Sequence, residues 1–216
     1  MKNNLSLLFV FLTSTISFSQ DKKELFYDND QNEISLEKFT GLKNNKNYGL
    51  SYEYETSIKT YLIEGEVSGT LNYYLLESIK KYLIRINPKT NFEKSNFIVI
   101  NYIDNDPTIY TKYYQVPWDV FENDVSKKLK KIDKINHFYI INPDVKDLYY
   151  YHGNKLKWEI DKDHFLQKKF FSFKGLNGGF LIIDKEGNYF ALKGEYTEKK
   201  VLDKVKELKK KRNHHQ

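Results

Sequence analysis

Two apolar runs near the middle of the chain predict its central strands. The first is Phe97 to Ile103, in which Asn101 interrupts an otherwise apolar stretch, and the second is His137 to Ile141. A strand that is apolar at successive positions buries both faces, because neighbouring side chains point to opposite sides of a sheet. We therefore expect both segments inside a sheet that is covered on both sides.

Apolar residues at three- and four-residue spacing predict three helices. The first covers 71–86 and is stopped by Pro88. The second carries Pro117 in its first turn and extends to Leu129. The third ends the chain, with Thr197 as the expected N-cap. We expect it to pack on the sheet through one apolar face. That face consists of Val201, Leu202, Val205 and Leu208.

Turn-forming residues between short apolar runs predict two hairpins. One covers 25–36 and the other covers 180–192. Between them, 49–67 is rich in β-branched and aromatic residues, which favours one or two further strands. Strands and helices in this mixture indicate an α/β protein.

The segment 1–19 has the pattern of a signal peptide. A short basic start precedes the apolar run 5–12, and small residues stand before the expected cleavage at Gln20 or directly after it. The apolar run is shorter than the ~20 residues that span a bilayer. We expect an exported protein, periplasmic or secreted, without a stable membrane anchor once the signal is removed.

The expected mature chain is a single domain, 20–208, followed by a basic tail, 209–216. The formal net charge is +6, and the run Lys209-Lys210-Lys211-Arg212 supplies most of it. Arginine occurs only at 85 and 212, although phosphate and base recognition usually recruits its bidentate fork. We therefore expect no nucleic-acid partner and interpret the tail as the solvated end of the last helix.

The chain contains no cysteine, which excludes disulfides, zinc–thiolate sites and thiol nucleophiles. The acidic segment 28–32 lacks the glycine and the later glutamate of a calcium loop. The segment 161–164 offers Asp and His donors, but such short runs usually lie on solvated loops. No phosphate-binding loop, nucleophile elbow or dinucleotide fingerprint occurs. We expect neither a metal nor a cofactor.

The order of the predicted elements resembles the thioredoxin-like superfamily: strand, helix, buried strand, helix, buried strand, irregular stretch, hairpin, helix. The likeness is most specific in 175–208, which looks like the C-terminal half of exported bacterial redoxins. The segment 25–39 resembles their leading hairpin. The resemblance implies an α/β fold with a central mixed sheet flanked by helices and an N-terminal hairpin extension.

The residues contradict the redox activity that this resemblance would imply. The relatives carry Cys-x-x-Cys after the central strand, where a helix N-terminus lowers the pKa of the attacking thiol. Here 104–111 has no cysteine, and Asn177-Gly178-Gly179 stands where the relatives have a cis-proline. The chain is thus similar to a redoxin-like branch without the motif, and thiol–disulfide chemistry is excluded.

Aromatic residues cluster in the segment that carries the active site of the resembled fold. Their rings offer large, rigid contact area with a polar edge, which suits protein partners and sugar faces. We therefore predict an exported binding or interaction module with a protein or glycan partner. Its predicted binding residues are Asp104, Asp106, Tyr110, Tyr113, Tyr114 and Trp118.

Three alternatives stay open at the level of the sequence. In one alternative, these rings only pack against the sheet and form no binding surface. The same would then hold for a second aromatic group, 149–151 and Trp158. In another, Asp104 and Asp106 beside Tyr110 would perform acid–base catalysis, which needs two groups whose pKa values are pushed apart. In the third, the chain would be an immunity-like envelope scaffold with one stoichiometric partner.

Overall fold

The computed structural model describes residues 22–44, 46–106 and 119–214. The predicted signal peptide lies outside these residues and stays a prediction. The same holds for four predicted binding residues, namely Tyr110, Tyr113, Tyr114 and Trp118. The described chain forms two compact units. Unit 1 contains 22–43 and 49–63, and unit 2 contains the rest.

Unit 1 is built on a four-stranded mixed sheet with the strand order β2-β1-β4-β3. Strand β1 pairs antiparallel with β2 and parallel with β4. The elements are β1 (Lys23–Tyr27), β2 (Glu33–Ile34), α1 (Leu36–Leu42), β3 (Asn47–Glu53) and β4 (Ser57–Glu64). The predicted N-terminal hairpin is therefore confirmed as β1 and β2.

The turn between β1 and β2 is held by Asp28. Its Oδ1 accepts hydrogen bonds from the backbone N–H groups of Asp30, at 3.0 Å, and Asn32, at 2.9 Å. The carboxylate of Asp28 therefore stabilises the turn. On the helical side, Ser35 caps α1, and the ring of Phe39 packs 5.2 Å from that of Phe26.

Unit 2 contains a six-stranded mixed sheet with the order β5-β10-β9-β6-β7-β8. Strands β6, β7 and β8 run parallel, whereas β9, β10 and β5 join the other side of β6 through antiparallel pairs. The strands are β5 (Glu66–Thr70), β6 (Phe97–Ile103), β7 (Ile135–Ile141), β8 (Trp158–Ile160), β9 (Gly179–Asp184) and β10 (Asn188–Lys193).

Helices cover both faces of this sheet, so the predicted mixed α/β architecture is confirmed. One face packs on α4 and α6 through residues such as Val99 and Val205, and the other on α2 and α5 through residues such as Ile100 and Leu83. All seven residues of β6 are buried. The helices are α2 (Tyr73–Ile86), α3 (Asp119–Glu122), α4 (Ser126–Ile132), α5 (Phe165–Phe170) and α6 (Glu198–His214).

Two helices differ in detail from the sequence expectation. The predicted helix extending to Leu129 is two helices, α3 and α4, and Asp124 between them has a left-handed φ of 47°. Helix α6 includes the basic residues assigned to a solvated tail. Arg212 is 12% exposed there, donates to Asp133 across 3.1 Å, and lies 4.9 Å from the ring of Phe97. The expectation of a solvated end is wrong for Arg212.

Candidate functional site

Three buried polar residues lie side by side where the parallel strands of unit 2 end. Asp104 follows β6, Asn142 follows β7 and Asp161 follows β8. The backbone N–H of Asn142 donates to the carbonyl of Ile103, and that of Asp161 to the carbonyl of Ile141, both at 2.8 Å. The three positions thus extend the parallel register by one residue. We call them the polar row.

The polar row occupies the part of an α/β sheet where ligands usually bind. In open sheets the crevice lies beyond the carboxyl ends of the parallel strands. The relative exposures of Asp104, Asn142 and Asp161 are only 2%, 0% and 0%. Buried polar side chains normally have hydrogen-bond partners, so a buried atom of the polar row without a partner is unusual.

Asp161 uses its carboxylate entirely within the fold. It accepts hydrogen bonds from the hydroxyls of Tyr82, at 2.6 Å, and Tyr102, at 3.1 Å. The backbone N–H groups of Leu166 and Gln167 donate to it as well, both at 3.0 Å. Burial and this carboxylate together raise the pKa of both tyrosines. Asp161 therefore anchors the start of α5 and does not act as a free metal donor.

Asp104 and Asn142 are incompletely satisfied. Within the part of the chain that the structure describes, Oδ1 of Asp104 and Nδ2 of Asn142 have no hydrogen-bond partner. The other amide atom of Asn142, Oδ1, accepts from the backbone N–H of Asp144 at 2.9 Å. An acceptor and a donor are thus left unpaired on neighbouring strands. Each costs about 1–3 kcal/mol while it stays buried without a partner.

The surroundings of Asp104 also change its acidity. Burial raises the pKa of its carboxyl group to about 7, because the charged form is poorly solvated. The backbone N–H groups of Leu176 and Gly175 and the charge of Lys174 act in the opposite direction. Perturbed carboxyl groups of this kind cluster at functional sites.

Asp106, the other predicted carboxylate, has a different role. Its two oxygens accept from the backbone N–H of Lys146 at 3.1 and 3.2 Å, and Oδ1 also accepts from that of Asp147 at 3.5 Å. Asp106 is therefore committed to fixing the loop after β7. Its geometry gives no support to the acid–base pair with Asp104 that the sequence left open.

The loop before β9 closes on the end of β6. The side chains of Asn105 and Asn177 pair at 2.9 Å, and Oδ1 of Asn105 accepts from the backbone N–H of Asn177 at 3.1 Å. Gly178 has a φ of +131°, and a Cβ there would lie 2.0 Å from the carbonyl oxygen of Tyr102. The Asn-Gly-Gly segment thus approaches β6 in a way that only glycine allows.

A second polar cluster lies on the opposite face of the sheet, around His137. Its Nδ1 is 2.6 Å from Oγ of Ser126, and its Nε2 is 2.6 Å from Nδ2 of Asn101. Oδ1 of Asn101 accepts from the hydroxyl of Tyr196 at 2.8 Å. This amide orientation makes Nε2 the acceptor and leaves the imidazole proton on Nδ1.

The histidine of this cluster is a poor candidate for a general base. Burial lowers the pKa of His137 to about 3, far from the range that suits proton transfer at neutral pH. Asp124 beside it is also occupied, since it accepts from the hydroxyl of Tyr139 at 3.1 Å and the N–H of Ser126 at 3.2 Å. A cavity of about 290 Å³ adjoins the cluster, but the polar groups bond chiefly to one another.

Sequence reasoning named Asp104 as a binding residue but missed its neighbour Asn142 and the whole His137 cluster. The partners of His137 lie 36 and 11 positions away in the chain, so no local pattern indicates this cluster. The second aromatic group lies partly in the core, as one alternative held: Tyr151 is 1% exposed and the ring of Trp158 packs 5.3 Å from the rings of Phe121 and Tyr139, whereas Tyr149 is 38% exposed. Tyr151 also donates to the backbone carbonyl of Asn105.

In the described residues no three His, Asp or Glu side chains converge as a metal site, and no helix there has the length and apolarity to cross a membrane. No family model, curated protein or solved structure matches the chain.

Proposed function

We propose that this chain is an exported, non-redox binding domain of thioredoxin-like topology that takes a polar ligand at the carboxyl ends of β6 and β7. The element order supports the topology: β5, α2, β6, the α3–α4 pair, β7, a connection that contains β8 and α5, the β9–β10 hairpin and α6. Because the chain has no cysteine, thiol chemistry is excluded at the position where the resembled fold carries its active site. We therefore assign ligand binding to this position.

The unpaired atoms of Asp104 and Asn142 carry the proposal. They offer one acceptor and one donor at adjacent register positions, both buried. A ligand group that donates and accepts at once would satisfy both and recover their desolvation cost. Sugar hydroxyls and peptide amides have this property, in keeping with a glycan or protein partner.

Carboxylate catalysis is the less favoured candidate. A pKa near 7 would suit Asp104 as an acid or base. Such chemistry needs a second available group, however, and the carboxylates of Asp106 and Asp161 are both occupied by backbone or tyrosine donors. Asp104 alone supports binding better than turnover.

The side-chain amide of Asn142 allows a direct test. We suggest titrating ¹⁵N-labelled protein (20–216) with two probes, a blocked trialanine peptide and cellotriose, and following the NH₂ resonances of Asn142. We expect one probe to shift them saturably. The Asn142→Leu variant lacks these resonances and is followed through the backbone amide signals of 104 and 142. It should lose this binding, whereas Asn213→Leu, at an exposed position on α6, should retain it.

Two outcomes would contradict the proposal. The first is the absence of a saturable shift with both probes at millimolar concentration. The second is equal binding by wild type and Asn142→Leu. Asp104→Asn gives an independent check, because it exchanges an acceptor for a donor with little change in shape.

A further inference from the structure

Lysines from three segments of unit 2 form one basic face. Two adjacent open clefts share it: Ile132 lines the first and the next residue, Asp133, lines the second. The first cleft measures about 540 Å³ and the second about 450 Å³. The lysines of the basic face are Lys94, Lys130, Lys134, Lys206, Lys209 and Lys210.

The positive charge of the basic face is poorly compensated. Asp133 is the one carboxylate among the described residues that line the clefts, and its side chain is 8% exposed beneath Arg212, at 3.1 Å, and Lys209, at 3.7 Å. The nearby acids of α6 are also paired. Asp203 forms ion pairs with Lys199 and Lys206. Glu207 forms ion pairs with Lys204 and Lys211.

Four lysines of the face lie outside these pairs. Within the described residues, the ion pairs do not include Lys94, Lys130, Lys134 or Lys210, and all four are exposed. Keeping several like charges on neighbouring surface is unfavourable by itself, because exposed charges repel within about a Debye length, ~10 Å at 0.1 M salt. An anionic partner would relieve that repulsion.

We propose that the basic face binds the surface of an anionic lipid bilayer. Lysine is a compact, hydrated point charge on a flexible stem, which suits diffuse attraction to many headgroups, whereas bidentate recognition favours arginine. Clusters of about 4–8 basic residues are typical of binding to anionic lipids. The clefts have no aromatic lining residue in the described chain, so base stacking on a nucleic acid is not provided.

This binding is peripheral and independent of the polar row. It needs no apolar insertion, so it agrees with an exported protein that has no stable anchor. It rests on long-range electrostatics and should therefore weaken steeply as salt screens the charges.

Vesicle sedimentation tests the proposal. Protein 20–216 is mixed with vesicles of phosphatidylcholine alone or with one third phosphatidylglycerol, at about 0.05 M and about 0.5 M salt. We expect co-sedimentation only with the anionic vesicles and only at low salt. The triple variant Lys130→Glu, Lys134→Glu and Lys210→Glu should bind at least tenfold more weakly.

The control is a triple variant with the same change in net charge elsewhere in unit 2, namely Lys81→Glu, Lys162→Glu and Lys169→Glu, at exposed positions on or beside α2 and α5. It should bind nearly as well as wild type. Equal loss in both triple variants, equal binding to neutral vesicles, or retention only on a nucleic-acid column would each overturn the proposal. Circular dichroism melting checks folding, and glutamine at the same three positions replaces glutamate if the first variant does not fold.

Discussion

The hydroxyl of Tyr82 donates to Oδ1 of Asp161 across 2.6 Å and so joins helix α2 to the end of strand β8. The same carboxylate holds Tyr102 and the first backbone N–H groups of α5. One buried side chain therefore connects three elements around the polar row. Its neighbours Asp104 and Asn142 are positioned by this fixed end of the sheet.

Removal of the Asp161 carboxylate should be strongly destabilising. Asp161→Ala leaves buried hydroxyl and N–H donors without an acceptor, and each such group costs about 1–3 kcal/mol. We expect the free energy of unfolding to fall by at least about 3 kcal/mol in urea denaturation. Asp163→Asn is the control, since that side chain is 80% exposed and makes a 3.4 Å contact with Arg85, and asparagine tolerates the positive φ of 61° at this position. Equal effects of the two variants would contradict the assigned role.

The acidity of Asp104 predicts a pH-dependent stability difference. Its pKa rises from 3.8 in the unfolded chain to about 7 in the fold, so the folded state binds the proton more tightly. Its contribution to stability is complete below pH 4 and is lost as the pH rises to about 7, by up to about 1.4 kcal/mol per pH unit. Asp104→Asn should therefore gain stability relative to wild type over this interval. If the unfolding free energies of wild type and Asp104→Asn change with pH in parallel, the raised pKa of Asp104 is wrong.

His137 should produce the opposite slope. Its pKa falls from 6.5 in the unfolded chain to about 3 in the fold, so protons favour the unfolded state. Stability from this group is present above pH 6.5 and decreases as the pH falls towards 3. Imidazole NMR signals should show a neutral ring at pH 5, and His137→Gln should flatten the acid side of the stability curve. A ring that titrates near pH 6.5 would contradict the lowered pKa of His137.

Helix α6 should depend on Val205 more than on Leu202. The sequence treats the two alike, but Val205 is 0% exposed whereas Leu202 is only partly buried. Val205→Ala should cost about 2 kcal/mol of unfolding free energy from lost burial and the cavity that remains. We expect a smaller loss for Leu202→Ala although it removes more atoms. A larger loss for Leu202→Ala in urea denaturation would show that α6 packs in another orientation.

The predicted aromatic anchors remain a hypothesis of the sequence. Tyr114 and Trp118 lie outside the described residues, so their part in binding rests on composition and position alone. The polar row gives the same end of β6 an independent argument, because Asp104 is buried there with an unpaired oxygen.

By itself, the sequence determined the elements whose information is local. The apolar run of β6, the spacing of α2 and the turn between β9 and β10 each follow from residues a few positions apart, because strand and helix periodicity are properties of neighbouring side chains. The absence of cysteine likewise excluded thiol–disulfide chemistry without a structure.

Only the tertiary structure decided which side chains meet. Asp104, Asn142 and Asp161 follow three different strands, and their alignment depends on the register of β6, β7 and β8. The ion pair of Arg212 with Asp133 depends in the same way on how α6 packs beside α4. Such contacts are set by burial and strand pairing across distant segments, which no local pattern of residues encodes.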